Sequence, residues 1–303
     1  MTKSAPLPWP HVLLALAVMV VWGTNFVVIR IALQHLPPLL LANLRFTFAL
    51  LPAVFFIKRP AVPWRHLAAY GLLIGAGQFG VLFIAMRSSI TPGLASLVIQ
   101  TQVFFTIGLA MAINRERVRG YQWLALAPAV GGLGLILAHA GQGATPLGLA
   151  LTLIAALCWA GGNAVARASG RVNMLAYVVW SSLFAAPPLI VLSVIVDGLP
   201  AIREGLAHAE AATWAAVLWQ SVGNSLFGYA AWGWLLARHP AASVAPMALL
   251  VPVFGMAASA WWMAEPLPIW KLGAAALIMS GLALNLFWPL LRARLPARGA
   301  ATA

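Results

Sequence analysis

Trp22-Gly23-Thr24-Asn25-Phe26-Val27-Val28-Ile29-Arg30 returns 137 residues later as Trp159-Ala160-Gly161-Gly162-Asn163-Ala164-Val165-Ala166-Arg167, with Trp and Arg in register. Both copies lie within long apolar runs. Further along, Phe79-Gly80 answers Phe227-Gly228 at an offset of 148, and Glu116 answers Glu265, and Gly132 answers Gly281, at 149. Matches in collinear order describe an internal repeat, which divides the chain into 1–143 and 144–303. The offset grows because the loop at 197–211 is inserted in the second half.

The composition says what solvent the two halves face. Of 303 residues, 63% are hydrophobic and 8% charged, against about 25% charged in a soluble domain. A helix needs about twenty apolar residues to cross the hydrocarbon layer. Runs of that length fall at 10–33, 39–57, 64–86, 92–113, 121–139, 147–168, 173–196, 212–237, 242–263 and 269–291. The fold class read from them is an all-α membrane protein of ten transmembrane helices, five in each half. Five is odd, so the second half enters the membrane from the opposite side, and the halves are inverted repeats around a midplane site. The first run is too long for a signal-peptide core and is expected to remain as a span.

The net charge of +13 would suit a nucleic-acid binder, but the distribution excludes that class. Lys3, Lys58, Arg59, Arg65, Arg115, Arg117, Arg119, Arg167, Arg171, Arg238, Arg292, Arg294 and Arg298 all fall in or beside loops on one side. Only Arg30, Arg45, Arg87, Arg203 and Lys271 fall on the other. The bias places both termini in the cytoplasm. Arg30, Arg45 and Arg87, near span ends, are expected to snorkel to the headgroups. Cys158 is the single cysteine, so neither an internal disulfide nor a thiol-based metal site is expected, and no cofactor is implied.

Several of these residues form a familiar pattern. Trp-Gly-x-Asn-Phe followed by Arg30, Ala-Pro-x-x-x-Leu-x-Pro-Val-Phe at 245–254, and the glutamates at 116 and 265 resemble the EamA family of the drug/metabolite transporter superfamily. Within it, the chain is similar to YddG-type exporters of aromatic and other neutral amino acids. The resemblance implies a multi-pass protein of the bacterial inner membrane, basket-shaped. Spans 1, 3, 4, 6, 8 and 9 would surround a central cavity, and spans 5 and 10 would form a support or homodimer face. One departure is Gln100-Thr101-Gln102-Val103-Phe104, where the second half has Leu250-Val251-Pro252-Val253-Phe254. Lacking that proline, the first half is expected to bend and bind differently.

A polar side chain in lipid is costly unless it faces protein or a water-filled cavity, so the polar residues of the lining spans are the candidate site. Asn25, Gln78, Gln100, Gln102, Asn163 and Asn224 are neutral amides suited to hydrogen-bonding the amino and carboxyl groups of a zwitterion. Thr24, Ser221 and Ser225 add hydroxyls. Trp22, Phe79, Trp159, Trp180, Tyr229 and Trp232 offer surfaces for an aromatic or thioether side chain. Trp159, a dozen residues into its span, is the least easily explained as an interfacial anchor. The competing reading is that the amides join helices and the tryptophans anchor at the interface. Glycines at 75, 77, 80, 223, 228 and 233 serve either close packing or bending.

All five acids and all six histidines fall in loops or at span ends. A proton-coupled carrier ordinarily needs a buried carboxylate or histidine, so facilitated export of small neutral metabolites through the bilayer is expected. No sheltered nucleophile–base pair is present for an enzyme. A carrier of another metabolite or drug on the same scaffold remains open, as does a membrane scaffold without flux.

Overall fold

The computed structural model describes residues 7–114 and 120–292. Lys3, Arg115, Glu116, Arg117, Arg119, Arg294 and Arg298 lie outside the described residues, so the expectations placed on them are not addressed. Among the described residues, nine helices are long and apolar enough to cross a membrane. They are α1 (Trp9–Ala32), α2 (Pro38–Phe55, its last turn following a break after Leu50), α3 (Trp64–Ser88), α4 (Pro92–Ala112), α5 (Gly120–Ala138), α6 (Pro146–Ala168), α7 (Met174–Asp197), α9 (Ala245–Met263) and α10 (Ile269–Arg292). The run expected as the eighth span is also helical without interruption, through Ala211–Leu218, Trp219–Phe227 and Gly228–Arg238, and is labelled α8. It is long enough but more polar, because it carries Gln220, Ser221, Asn224 and Ser225. A short helix, Leu199–Ala207, occupies the long loop before it.

Proline starts many of these helices and acids tie their ends. Pro38, Pro92 and Pro146 stand in first turns, where the missing N–H has no partner to lose. The Asp197 carboxylate at the end of α7 accepts from the amides of Leu39 and Leu40, each at 3.1 Å. It thereby satisfies orphan donors at the start of α2.

The principal neighbours are α1 with α8 and α9, α2 with α7 and α8, α3 with α6 and α7, α4 with α6 and α9, and α5 with α10. Glycines set the closest approaches. A Cβ on Gly132 would collide with Ile278 and the Ala274 carbonyl, and one on Gly281 with the Ala125 carbonyl. The two glycines matched in the sequence therefore both lie at the crossing of α5 and α10. Gly71 and Gly75 are pressed against Ser181, Phe184 and Ala185 of α7, and Gly228 against the Trp22 indole. At these positions the glycines serve close packing.

Backbone irregularities recur at matching places. Leu72–Gly80 in α3 and Trp219–Phe227 in α8 are π-helical, and Ile99–Thr101 in α4 and Ala245–Leu249 in α9 are 3₁₀. Without proline, α4 tightens where α9 does, and the Thr101 hydroxyl closes back on the Val98 carbonyl at 2.8 Å.

Burial along α4 divides sharply. Pro92–Thr101 is buried, Gln102–Ile107 is half-buried and Gly108 is exposed. In α9, residues 245–250 are half-buried, whereas Val251, Pro252, Gly255, Met256, Ala258 and Ser259 are buried.

Candidate functional site

The polar candidates gather at two places within the helix bundle. The first centres on a residue expected elsewhere. Arg45 was placed at a span end, snorkelling to the headgroups; in the structure it is fully buried. The reason is geometric: Arg45 lies seven residues into α2 and its side chain points inward between α3 and α8. One guanidinium nitrogen donates to Gln220 Oε1 and another to Asn224 Oδ1, both at 2.6 Å. The guanidinium stacks 3.7 Å from the centre of the Phe79 ring, a cation–π contact.

Gln220 passes the network onward by donating through Nε2 to Asn25 Oδ1 at 2.7 Å. The Trp22 indole donates to the Asn224 carbonyl at 3.3 Å, and its ring stands 5.7 Å from that of Tyr229. Tyr229 and Tyr70 of α3 line one small space beside the guanidinium. Trp22, Asn25, Phe79, Asn224 and Tyr229 are thus brought together by Arg45 and Gln220, neither of which the sequence reading selected. Gln220 carried a usable signal: it precedes Asn224 by four residues and so shares its helix face.

The second gathering joins α4 to α6. Asn163 Nδ2 donates to Gln102 Oε1 at 3.0 Å, and the Thr106 hydroxyl reaches the Gln102 carbonyl at 2.8 Å. Gln100 donates to the Ala248 carbonyl of α9 at 3.4 Å. Trp159 is half-buried one turn before Asn163 and packs against the apolar core. Gln78 is buried on α3, and its Oε1 is one of two buried side-chain polar atoms without a partner among the described residues; the other is Nε of Arg45.

Other candidates take no part in either side-chain hydrogen-bond network. Thr24, Ser221 and Ser225 return their hydroxyls to carbonyls of their own helices. Trp180 donates to the Ile57 carbonyl at 2.9 Å and meets Trp64 edge-on, which anchors it near the end of α3 where Trp64 lies. Arg30 donates to the Met86 and Arg87 carbonyls at the end of α3.

At that same end, Glu265 is buried between α9 and α10. It accepts from Lys271 Nζ at 2.9 Å, from the Gly93 amide at 3.0 Å, and from the Thr91 and Ser259 hydroxyls. Burial alone would push its carboxyl up. The four donors outweigh this and hold it below the usual glutamate value. The cluster binds the start of α4 to the turn joining α9 and α10. A separate surface cavity of about 210 Å³ at this end is lined by Arg30, Ser88–Pro92, Gly141 and Gly143–Thr145, apart from both amide gatherings.

The energetics distinguish the two gatherings. An interhelical hydrogen bond in a membrane protein is worth about 0.6 kcal/mol, so amide pairs such as Gln102–Asn163 exchange partners at low cost. A charged arginine at the centre of a membrane helix costs about 3 kcal/mol even on permissive scales. Its retention without an acid needs a reason beyond joining helices.

Comparison with known proteins bears on the family and the fold. The model of the EamA-like transporter family matches the chain twice, at residues 9–138 and 146–287. A protein of Salmonella typhimurium named "Probable amino-acid metabolite efflux pump" is 42% identical over 90% of this chain and 94% of its own. A protein of the same name from Escherichia coli is 41% identical, with the same coverage. A solved crystal structure superposes with a TM-score of 0.65 at 20% identity, covering 96% of this chain and 99% of that one, which speaks to the fold. A multi-pass membrane protein, the chain belongs to the EamA-like transporter family.

Proposed function

We propose that this transporter exports small neutral metabolites, aromatic and other neutral amino acids foremost, from the cytoplasm across the bacterial inner membrane by alternating access. The observation that carries the reading is chemical. The polar side chains that meet within the spanning helices are neutral amides and one guanidinium beside aromatic rings, a lining suited to a zwitterion with a bulky side chain. The printed names of the two relatives support amino-acid metabolites as the cargo class.

Ten spans, counting α8, in two inverted halves are part of the proposal. The double family match supports it. So do the helix neighbours: exchanging 1 with 6, 2 with 7, 3 with 8, 4 with 9 and 5 with 10 turns α1–α9 into α6–α4 and α3–α7 into α8–α2. The loop charges put both termini in the cytoplasm. With α4 buried from Pro92 to Thr101 and half-open toward Ile107, and α9 half-open at 245–250 with its buried positions between Val251 and Ser259, this conformation opens toward the cytoplasm. The α5–α10 face, with Trp123, Leu124 and Val130 exposed, is the surface through which two copies would associate.

Export runs down the substrate gradient without obligatory proton coupling, since the buried acid nearest the pathway, Glu265, sits at a span end with its oxygens occupied. Counterflow of an amino-acid panel in proteoliposomes, with and without a pH gradient, tests the reading. Exchange that proceeds without the gradient and falls at least tenfold in Trp159→Ala or Asn25→Ala is the expected outcome. Absence of amino-acid flux overturns the cargo class, an absolute need for the gradient overturns the energetics, and full flux in both variants overturns the site.

A further inference from the structure

Among the described residues the buried charges are three: Glu265 and Lys271, which neutralise each other, and Arg45. Arg45 has no carboxylate partner. Its hydrogen-bond acceptors are two neutral amide oxygens, its flat face is covered by Phe79, and its Nε, fully enclosed, donates to nothing. The guanidinium borders a small enclosed space of about 10 Å³, shared with Tyr70, Ile74, Phe79, Ser225 and Tyr229, room for about one water. A full positive charge is thus installed in the middle of the bundle, supplied with hydroxyl and aromatic neighbours, and left without its counterion.

We propose that Arg45 is the carboxylate-binding subsite of the transport pathway, receiving the α-carboxylate of an amino-acid-like substrate in place of the Gln220 and Asn224 amides. The inference rests on the export reading above and adds the atom group that the substrate must carry. A guanidinium offers parallel N–H donors matched to the two oxygens of a carboxylate. The amide oxygens now occupying them are weaker, neutral stand-ins, so a charged acceptor displaces them. Gln220 also donates to Asn25 and the Asn224 carbonyl accepts from Trp22. Displacement of the two amides therefore reaches α1, which lines the same proposed path. The substrate's ammonium and side chain fall to the neutral amides and rings already described. A substrate with its carboxylate masked lacks the group that neutralises the site.

The test compares proteoliposome flux of an amino acid with that of its carboxamide in the wild-type protein, in Arg45→Gln and in Asn224→Asp. The last variant is close to isosteric and supplies an internal carboxylate at 2.6 Å from Arg45, so it remains informative if loss of the arginine prevents folding. The wild type is expected to prefer the acid at least tenfold, and both variants to bring the ratio within about twofold. Equal wild-type flux of acid and amide overturns the proposal, as does a tenfold preference that survives in either variant. Should the wild type carry no amino acid, the export reading fails on its own. Thermal stabilisation of the detergent-purified protein by the same two compounds then decides the subsite: stabilisation by the acid alone, lost in Asn224→Asp, sustains it, and any other pattern overturns it.

Discussion

At the scale of single residues, one acid shows how much a side chain's surroundings decide. Glu265 is buried, yet four donors keep its carboxyl below the ordinary value of 4.5. A carboxyl depressed in the folded protein contributes stability that is fully present above its unfolded value and is lost as the pH falls through the folded one. Melting temperature measured against pH is therefore expected to be insensitive to this group between pH 7 and 5, and to fall below about 4.5. In Glu265→Gln that acid limb flattens, while the unfolding free energy at neutral pH drops by about 3 kcal/mol, because Lys271 is left buried without a carboxylate. The residue scale is also where the sequence was least legible. Trp22, Asn25, Phe79, Asn224 and Tyr229 were selected as polar or aromatic exceptions in apolar runs, and they converge. Arg45 was misplaced because a run read as a line gives depth but not direction: α2 is apolar on nearly every side, so no stripe marked the face that carries its guanidinium.

At the scale of helices, the sequence was more informative, because a spanning helix must satisfy its own backbone and needs only length and apolar content to be recognised. Nine of the ten runs begin within one residue of the helices that form. The run at 242–263 is less regular, a short turn and a 3₁₀ stretch preceding its α-helix at Leu250. The matched pair Gly132 and Gly281 anticipated a contact that neither half discloses alone: each glycine admits the opposite helix at the α5–α10 crossing. Gly281→Val is accordingly expected to cost about 2 kcal/mol by overpacking against the Ala125 carbonyl. Thermal unfolding in detergent measures it, with Gly134→Val as the control, since a Cβ at Gly134 meets nothing within 4 Å. The π-helical and 3₁₀ stretches were not legible, since they depend on which neighbour presses on which turn.

At the scale of the molecule, the asymmetry of burial along α4 supports the proposed opening at one end. A cysteine in place of Thr106, on the face shared with Gln102, is expected to react with a membrane-impermeant thiol reagent applied from the cytoplasmic side, in a background with Cys158→Ala. One in place of Ser96, which is fully buried, is expected to stay silent. Equal labelling at the two positions would contradict a one-sided opening. The total charge and the order of the loops were enough to orient the chain in the proposal, but the sequence contains no statement of which end is open, because both conformations use the same helices.

The π-helical stretch of α8 has a consequence for heredity. Nine residues from Trp219 to Phe227 are wound more widely than an α-helix, so this stretch holds a surplus residue that ordinary winding does not require. Loss of a single codon there, at Val222 for example, would let the helix relax to the common winding and still form, whereas the same loss within α1 would shear its lipid-facing and inward-facing sides out of step. Across the deletion, the faces that carry Gln220 and Tyr229 would stay nearly in phase, so a cell inheriting the shortened gene would still make a protein that inserts and packs, altered only in the turn between them.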